Sequence, residues 1–239
     1  MTNTDTTAIL FFSRTASEEA ASKNFSPKLG LKGNRAISRC LIEDTLNTIK
    51  ASGLPVISHF SPAQEGHGFG ERLANAVESV YAKGFEQVII VGNDCPFLST
   101  PLLKEVSTQL QHQPLVLGPT SDGGVYLIGI QKGSYQRADF MNLNWQELGL
   151  QASWQTYSTK HHININWLEE YFDIDKATDL KRLFAALPKG VLLLRELLQI
   201  LKSILSTFPI TKICSPQKEV KQTLSLRGPP FVLQLDSFL

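Results

Sequence analysis

The chain has 239 residues, 42% of them hydrophobic and 19% charged, which is enough for one large globular domain with an appendage. Its 23 Lys and Arg nearly cancel its 22 Asp and Glu, leaving a net charge of +1, so no bulk field draws it to nucleic acid or a membrane surface and any polyanion site has to be local. Cys40, Cys95 and Cys214 are odd in number and widely spaced, which argues against a disulfide framework and a structural zinc site.

The opening MTNTDTTAILFFSR lacks a basic segment followed by a long apolar core, so the expectation is no signal peptide and a cytoplasmic chain. Ala8 to Phe12 is predicted as the first strand, followed by a polar loop. A helix is predicted over Asn34 to Ala51, with Ile37, Cys40, Leu41, Thr45 and Ile49 on one face and Gly53 closing it. Pro55 to Phe60 is a second strand. The glycine-rich SPAQEGHGFG then leads into a helix over ERLANAVESVYAK, and the β-branched run Val88 to Val91 is a central strand. Thr100 to Gln111 has proline in its first turn and is predicted helical. PLVLG and GGVYLIGI are strands, the second entered through an Asp122-Gly123-Gly124 turn. This alternation is the pattern of a layered α/β domain.

Farther on, SWQTYST is predicted as a strand and NWLEEYF as a helical turn or two. FDIDKATDLKRLFAAL is predicted as a short strand and a helix capped by Asp175 or a neighbour. Pro188 and Gly190 mark a domain edge, dividing an α/β domain, 1–187, from an extension, 188–239. In the extension Leu194, Leu197, Leu198, Leu201, Ile204 and Leu205 form an apolar stripe at helical spacing. Arg195, Glu196 and Lys202 interrupt it, so it fails as a membrane span. Packing on the chain's own core is the first expectation for this stripe, and a homodimer contact the second. TLSLRGPPFVLQL is predicted as a hairpin around Gly228-Pro229-Pro230.

Three acidic motifs fall at predicted strand ends: GNDCP with Asp94, GPTSDGG with Asp122, and FDIDKATDL with Asp173 and Asp175. In open α/β sheets, ligands bind in the crevice beyond the strands' carboxyl ends. Carboxylates there suit Mg²⁺ or Mn²⁺, hard cations commonly shared with substrate phosphates. Such an ion would neutralise a leaving phosphate and fix the geometry of attack. A structural reading stands beside this one, with Asp94 capping nearby amides and Asp122 completing an Asp-Gly-Gly turn. Cys95 reads as a small buried hydrophobe. His161 and His162, taken as strand residues, would point to opposite faces and form a surface pair, and His67 lies in a loop with no visible partner.

VIIVGNDCPFLSTPLL, LVLGPTSDGGVYLIGI and FDIDKATDLKRL, in that order, resemble the bacterial glycosyltransferase-A-like family over roughly Ala8 to Leu187. That family is related to nucleotide-diphospho-sugar transferases and to the molybdenum-cofactor and phospholactate guanylyltransferases. The resemblance implies a Rossmann-like, mostly parallel sheet flanked by helices, a nucleotide or nucleotide-sugar donor, a small acceptor and a divalent cation, Mg²⁺ or Mn²⁺. Carried over by position, Asp94 and Asp175 would be the metal ligands. Asp94 and Asp122 would serve the chemistry, with Asp122 facing the acceptor or transferred group. Gly123 and Gly124 would permit close backbone approach, and Arg72 in GFGERLANA would meet a phosphate.

The chain departs from the family after the first strand. A glycine-containing loop ending in Lys-Thr-Arg-Leu is usual there, whereas SEEAASKNFSPKLG places Ser22, Lys23 and Asn24 at those positions, adds Glu18 and Glu19, and has no glycine before Gly30. A phosphate cradle needs amides and positive charge, for which Arg14, Lys23 and Lys28 are the nearby cations. The leading reading is metal-dependent glycosyl transfer. Nucleotidyl transfer stands beside it, and the rival from another class is a catalytically silent scaffold that has lost its phosphate loop.

Overall fold

The computed structural model describes residues 6–25, 27–188 and 191–205. Thr7–Ser13 (β1) and Gln87–Val91 (β3) are buried at every residue, as strands covered by helices on both faces must be. They run parallel and adjacent, Ile9 beside Ile89 and Phe11 beside Val91. Val56–Phe60 (β2) lies parallel on the outer side of β1.

Leu115–Pro119 (β4), Val125–Gln131 (β5) and Ile165–Trp167 (β6) complete a six-stranded sheet of order β2-β1-β3-β5-β4-β6. β5 is antiparallel to both β3 and β4, because the turn around Gly123 makes a hairpin, and β6 is parallel to β4. The expected mostly parallel α/β architecture is therefore present.

Eight helices pack around this sheet among the described residues: Ala16–Ser22 (α1), Gly30–Ala51 (α2), Phe69–Tyr81 (α3), Thr100–Gln109 (α4), Arg137–Met141 (α5), Leu150–His161 (α6), Ala177–Ala186 (α7) and Leu192–Leu205 (α8). Alternate residues of β1 supply opposite faces. Ala8, Leu10 and Phe12 join Leu73 and Val77 of α3 and Trp154 of α6, while Ile9 and Phe11 join Ile49 of α2 and Leu103 and Val106 of α4.

A third cluster holds Ile37 and Leu41 of α2, Leu180 and Leu183 of α7, and Leu193, Leu194, Leu197 and Leu201 of α8. The apolar stripe of the extension is thus covered by the chain's own body over these residues. Cys214, the predicted hairpin and the side chains of Ile204 and Leu205 lie outside the described residues. No described helix is long and apolar enough to cross a membrane.

Several local expectations are corrected. The polar loop after β1 contains α1, held by a capping box in which the Thr15 N–H donates to Glu18 Oε2 at 2.9 Å and the Glu18 N–H to Thr15 Oγ1 at 3.4 Å. SWQTYST lies in α6, because Leu150, Trp154, Tyr157 and Ser158 bury one helical face. NWLEEYF begins within β6, where Asn166 and Trp167 pair with Val116 and Leu117, and Tyr171 bridges Thr120. Before α7 the predicted strand is a single bridge, Asn24 to Lys176. The Asp179 carboxylate caps that helix, accepting from the N–H of Lys176 at 3.0 Å and of Asp175 at 3.2 Å. His161 and His162 accordingly end α6; His161 Nε2 lies 2.7 Å from Asp139 Oδ2, and His162 has a φ of 53°.

Candidate functional site

The carboxyl ends of β1 and β3 open onto one cleft of about 570 Å³. Arg14 and Lys23 enter it from the segment after β1, Asp94 from the turn after β3, Arg72 from α3, and Asp173 and Asp175 from the segment before α7. Phe12, Phe69, Trp145 and Leu150 form its apolar wall, and Gly124 lines its edge. A second cavity, of about 460 Å³, shares Arg14, Gln64 and Arg72 with the first.

Lys23 is the centre of the polar side. Its side chain is only 10% exposed, and its Nζ lies 2.9 Å from Asp175 Oδ1, 3.1 Å from Asp94 Oδ2 and 3.4 Å from Glu19 Oε2. It also donates to the Ile174 carbonyl at 3.2 Å.

Backbone bonds fix this meeting place. The Lys23 N–H closes α1 on the Glu19 carbonyl at 2.8 Å, the Asn24 N–H donates to the Asp175 carbonyl at 3.3 Å, and the Ile174 N–H to the Asp94 carbonyl at 2.9 Å. Burial alone would depress the ammonium, but the charges of Asp94, Glu19 and Asp175 outweigh it and hold Lys23 protonated well above its ordinary range. Burial pushes the Glu19 carboxyl up, against the pull of Lys23.

Burial, followed by the charges of Asp94, Asp122 and Asp175, pushes the Asp173 carboxyl up to about 9. Its Oδ1 is buried without a hydrogen-bond partner, as is Arg72 Nε. Arg14 donates to the Ser22 hydroxyl at 3.1 Å.

Asp94 and Asp175, expected to share a metal, are brought together around an ammonium. Among the described residues no group of three or more His, Cys, Asp or Glu is placed to hold a metal ion. Asp122 accepts from the Thr120 hydroxyl at 2.5 Å and from the Gly124 N–H at 3.1 Å, an Asx turn beside the cleft, and it is not among the lining residues. Gly123 adopts a φ of +95°, and a Cβ on Gly124 would stand 2.8 Å from Thr120 Oγ1, so this hairpin needs both glycines.

Lys28 lies exposed on the short turn Pro27–Leu29, away from the cleft lining. Cys95 is 7% exposed, and burial pushes its thiol up. Asp173, read with Asp175 as one of the strand-end acids, does line the cleft, whereas Glu19, Phe69, Trp145 and Leu150 were given no role from sequence. The capping box that creates α1, and with it the buried position of Glu19, was the available signal for that residue.

No curated protein matches the chain in sequence. Residues 43–147 match the family described as "Uncharacterized protein conserved in bacteria (DUF2064)". In structure the chain is similar to a "putative nucleotide-diphospho-sugar transferase" from Desulfovibrio desulfuricans G20, with a TM-score of 0.73 at 21% identity, covering 83% of this chain and 98% of that one. Weaker likenesses are to Rv0371C from Mycobacterium tuberculosis H37Rv in complex with manganese, with a TM-score of 0.41, 13% identity and coverage of 76% and 98%, and to 4-diphosphocytidyl-2C-methyl-D-erythritol synthase from Anaerococcus prevotii DSM 20548, with a TM-score of 0.43, 11% identity and coverage of 76% and 95%. The chain thus carries the DUF2064 match in residues 43–147 on an α/β fold similar to that of the Desulfovibrio desulfuricans protein.

Proposed function

We propose that the chain is a transferase acting on a nucleotide or nucleotide-sugar donor bound in the cleft beyond β1 and β3, with glycosyl transfer to a small acceptor as its reaction. The observation that carries this reading is the pairing, in one cavity, of three cations, Arg14, Lys23 and Arg72, with an aromatic and aliphatic wall of Phe12, Phe69, Trp145 and Leu150. A nucleotide calls for both. Phosphates are neutralised and oriented by guanidinium and ammonium donors, and ring systems by apolar aromatic surface. The cleft, at about 570 Å³, is of the size small-molecule sites occupy, about 300–1,000 Å³.

Arg72 supports the reading further, since its buried Nε has no partner within the protein and an anionic oxygen would supply one. In this reading Asp94 and Asp175 set the position of Lys23, and the second cavity receives the acceptor. Arg14 and Arg72, which line both cavities, would then stand where the two ligands meet. Gly124 keeps the cleft edge free of a side chain.

The test is thermal stability against nucleotides and nucleotide-sugars, each with Mg²⁺, Mn²⁺ or EDTA. A ligand at about 100 times its Kd adds about 2.7 kcal/mol to stability. Products then separate the reactions, a released nucleoside diphosphate marking glycosyl transfer and pyrophosphate marking nucleotidyl transfer. No stabilisation by any ligand at millimolar concentration ends the transferase reading.

A further inference from the structure

We infer that Lys23 is the resident cation of this site, its ammonium standing where Asp94 and Asp175 would otherwise hold a divalent ion, so that the cleft takes a phosphate-bearing ligand without a metal. The inference rests on the nucleotide reading above and deepens it.

Three features carry it. The first is saturation. An ammonium has three protons and no acceptor, and here four oxygens surround it: Asp175 Oδ1 at 2.9 Å, Asp94 Oδ2 at 3.1 Å, the Ile174 carbonyl at 3.2 Å and Glu19 Oε2 at 3.4 Å. The second is that this is not the chance pose of a surface lysine. The side chain is 10% exposed, and the backbone on either side is tied down, by the Lys23 N–H to the Glu19 carbonyl and the Asn24 N–H to the Asp175 carbonyl.

The third is exclusion. A divalent ion bound between Asp94 and Asp175 would need oxygens at about 2.0–2.1 Å for Mg²⁺. It would then share its shell with the ammonium already there, two cations in a space made for one. Lys23 therefore has to leave or the metal does, and leaving would expose Glu19, 5% exposed and buried beside the ammonium, as an uncompensated acid.

A lysine in this place does part of what a metal would. It presents positive charge to a phosphate at the end of β3, while its three protons stay on the protein's own oxygens. It supplies one charge rather than two, and Arg14 and Arg72, lining the same cleft, add the rest.

The experiment uses Mn²⁺ alone, followed by its electron paramagnetic resonance signal and by thermal stability, on the full chain, its Lys23→Ala and Lys23→Arg variants, and Asp94→Asn. Wild type and Lys23→Arg are expected to leave Mn²⁺ free. Lys23→Ala, with its carboxylates uncovered, is expected to bind one Mn²⁺ at least about tenfold more tightly than wild type and to gain stability from it. That gain should vanish in Lys23→Ala combined with Asp94→Asn.

Should Lys23→Ala fail to fold, adding Glu19→Gln removes the buried acid and keeps the measurement. Stoichiometric Mn²⁺ binding by wild type, lost in Asp94→Asn, overturns the inference. So does a folded Lys23→Ala that acquires no site. Because no nucleotide enters this measurement, its result stands apart from the nucleotide panel. If nucleotides bind, binding in EDTA equal to that in Mg²⁺ agrees with Lys23 as the resident cation, and an absolute metal requirement overturns it.

Discussion

Nζ of Lys23 lies 3.1 Å from Oδ2 of Asp94, so a cation delivered by the segment after β1 is held by the acid that follows β3. The contact joins two adjacent parallel strands at their carboxyl ends and places positive charge at the mouth of the cleft.

Asp94→Asn should weaken the site without unfolding the chain. The Asp94 side chain is 34% exposed, so solvent screens the pair, and a cost of about 1–2 kcal/mol is expected rather than the roughly 3–5 of a fully buried one. Urea unfolding with an unchanged m-value measures it. The rise in Tm produced by nucleotide should fall in parallel, and an undiminished response would separate Asp94 from ligand binding.

The contact between α2 and α8 should respond to pH. Burial, and then the charge of Glu196, push the Asp44 carboxyl up to about 6. A carboxyl raised on folding stabilises while it is protonated; the contribution is complete below the unfolded value, near pH 4, and is lost as pH rises through about 6. Asp44→Asn should therefore be more stable than wild type at pH 8, by about 1 kcal/mol after allowance for partial exposure, with the advantage shrinking toward pH 4. A difference that does not change with pH would show that Asp44 does not titrate there.

Leu197→Ala tests what covers the amphipathic face of α8. Leu197 is fully buried in a cluster with Ile37, Leu41 and Leu180, and its truncation should cost about 2–5 kcal/mol. Because those partners belong to the same chain, the unfolding midpoint should not depend on protein concentration. A midpoint that rises with concentration would mean that a second copy completes the face.

Gly70→Ala should destabilise, against the usual gain of about 1 kcal/mol when a helical glycine becomes alanine. A Cβ at position 70 would overlap the Met141 carbonyl oxygen and come within 2.7 Å of the Trp145 ring. A net loss of about 1–3 kcal/mol is expected. Trp145 lines the cleft, so its fluorescence should shift, and a Trp145→Phe background should abolish that shift. A stabilised Gly70→Ala would show that α3 and the loop after α5 are not in contact.

Strands β1 to β5 and helices α2, α3, α4, α7 and α8 were legible because local pattern and tertiary burial agree. Val88 to Val91 are apolar on both faces and β-branched at all four residues, and such a run is satisfied in the middle of a helix-covered sheet. α6 was misread because SWQTYST is too short a window. Extended back to Leu150, the spacing of Leu150, Trp154 and Tyr157 is helical. α1 buries only Glu19 and Ala20, so hydrophobic period could not find it, and only its capping box could.

What the sequence by itself determined is the α/β alternation, the placing of Asp94 and Asp175 at strand and segment ends, and the lack of a glycine between β1 and Gly30, since each can be read from residue types over a short stretch. What only the tertiary structure decided is that the end of α1 delivers Lys23 between those two acids. That meeting depends on β1 lying beside β3 and on the bridge from Asn24 to Lys176, pairings between distant segments that are set by sheet order and that no local periodicity encodes.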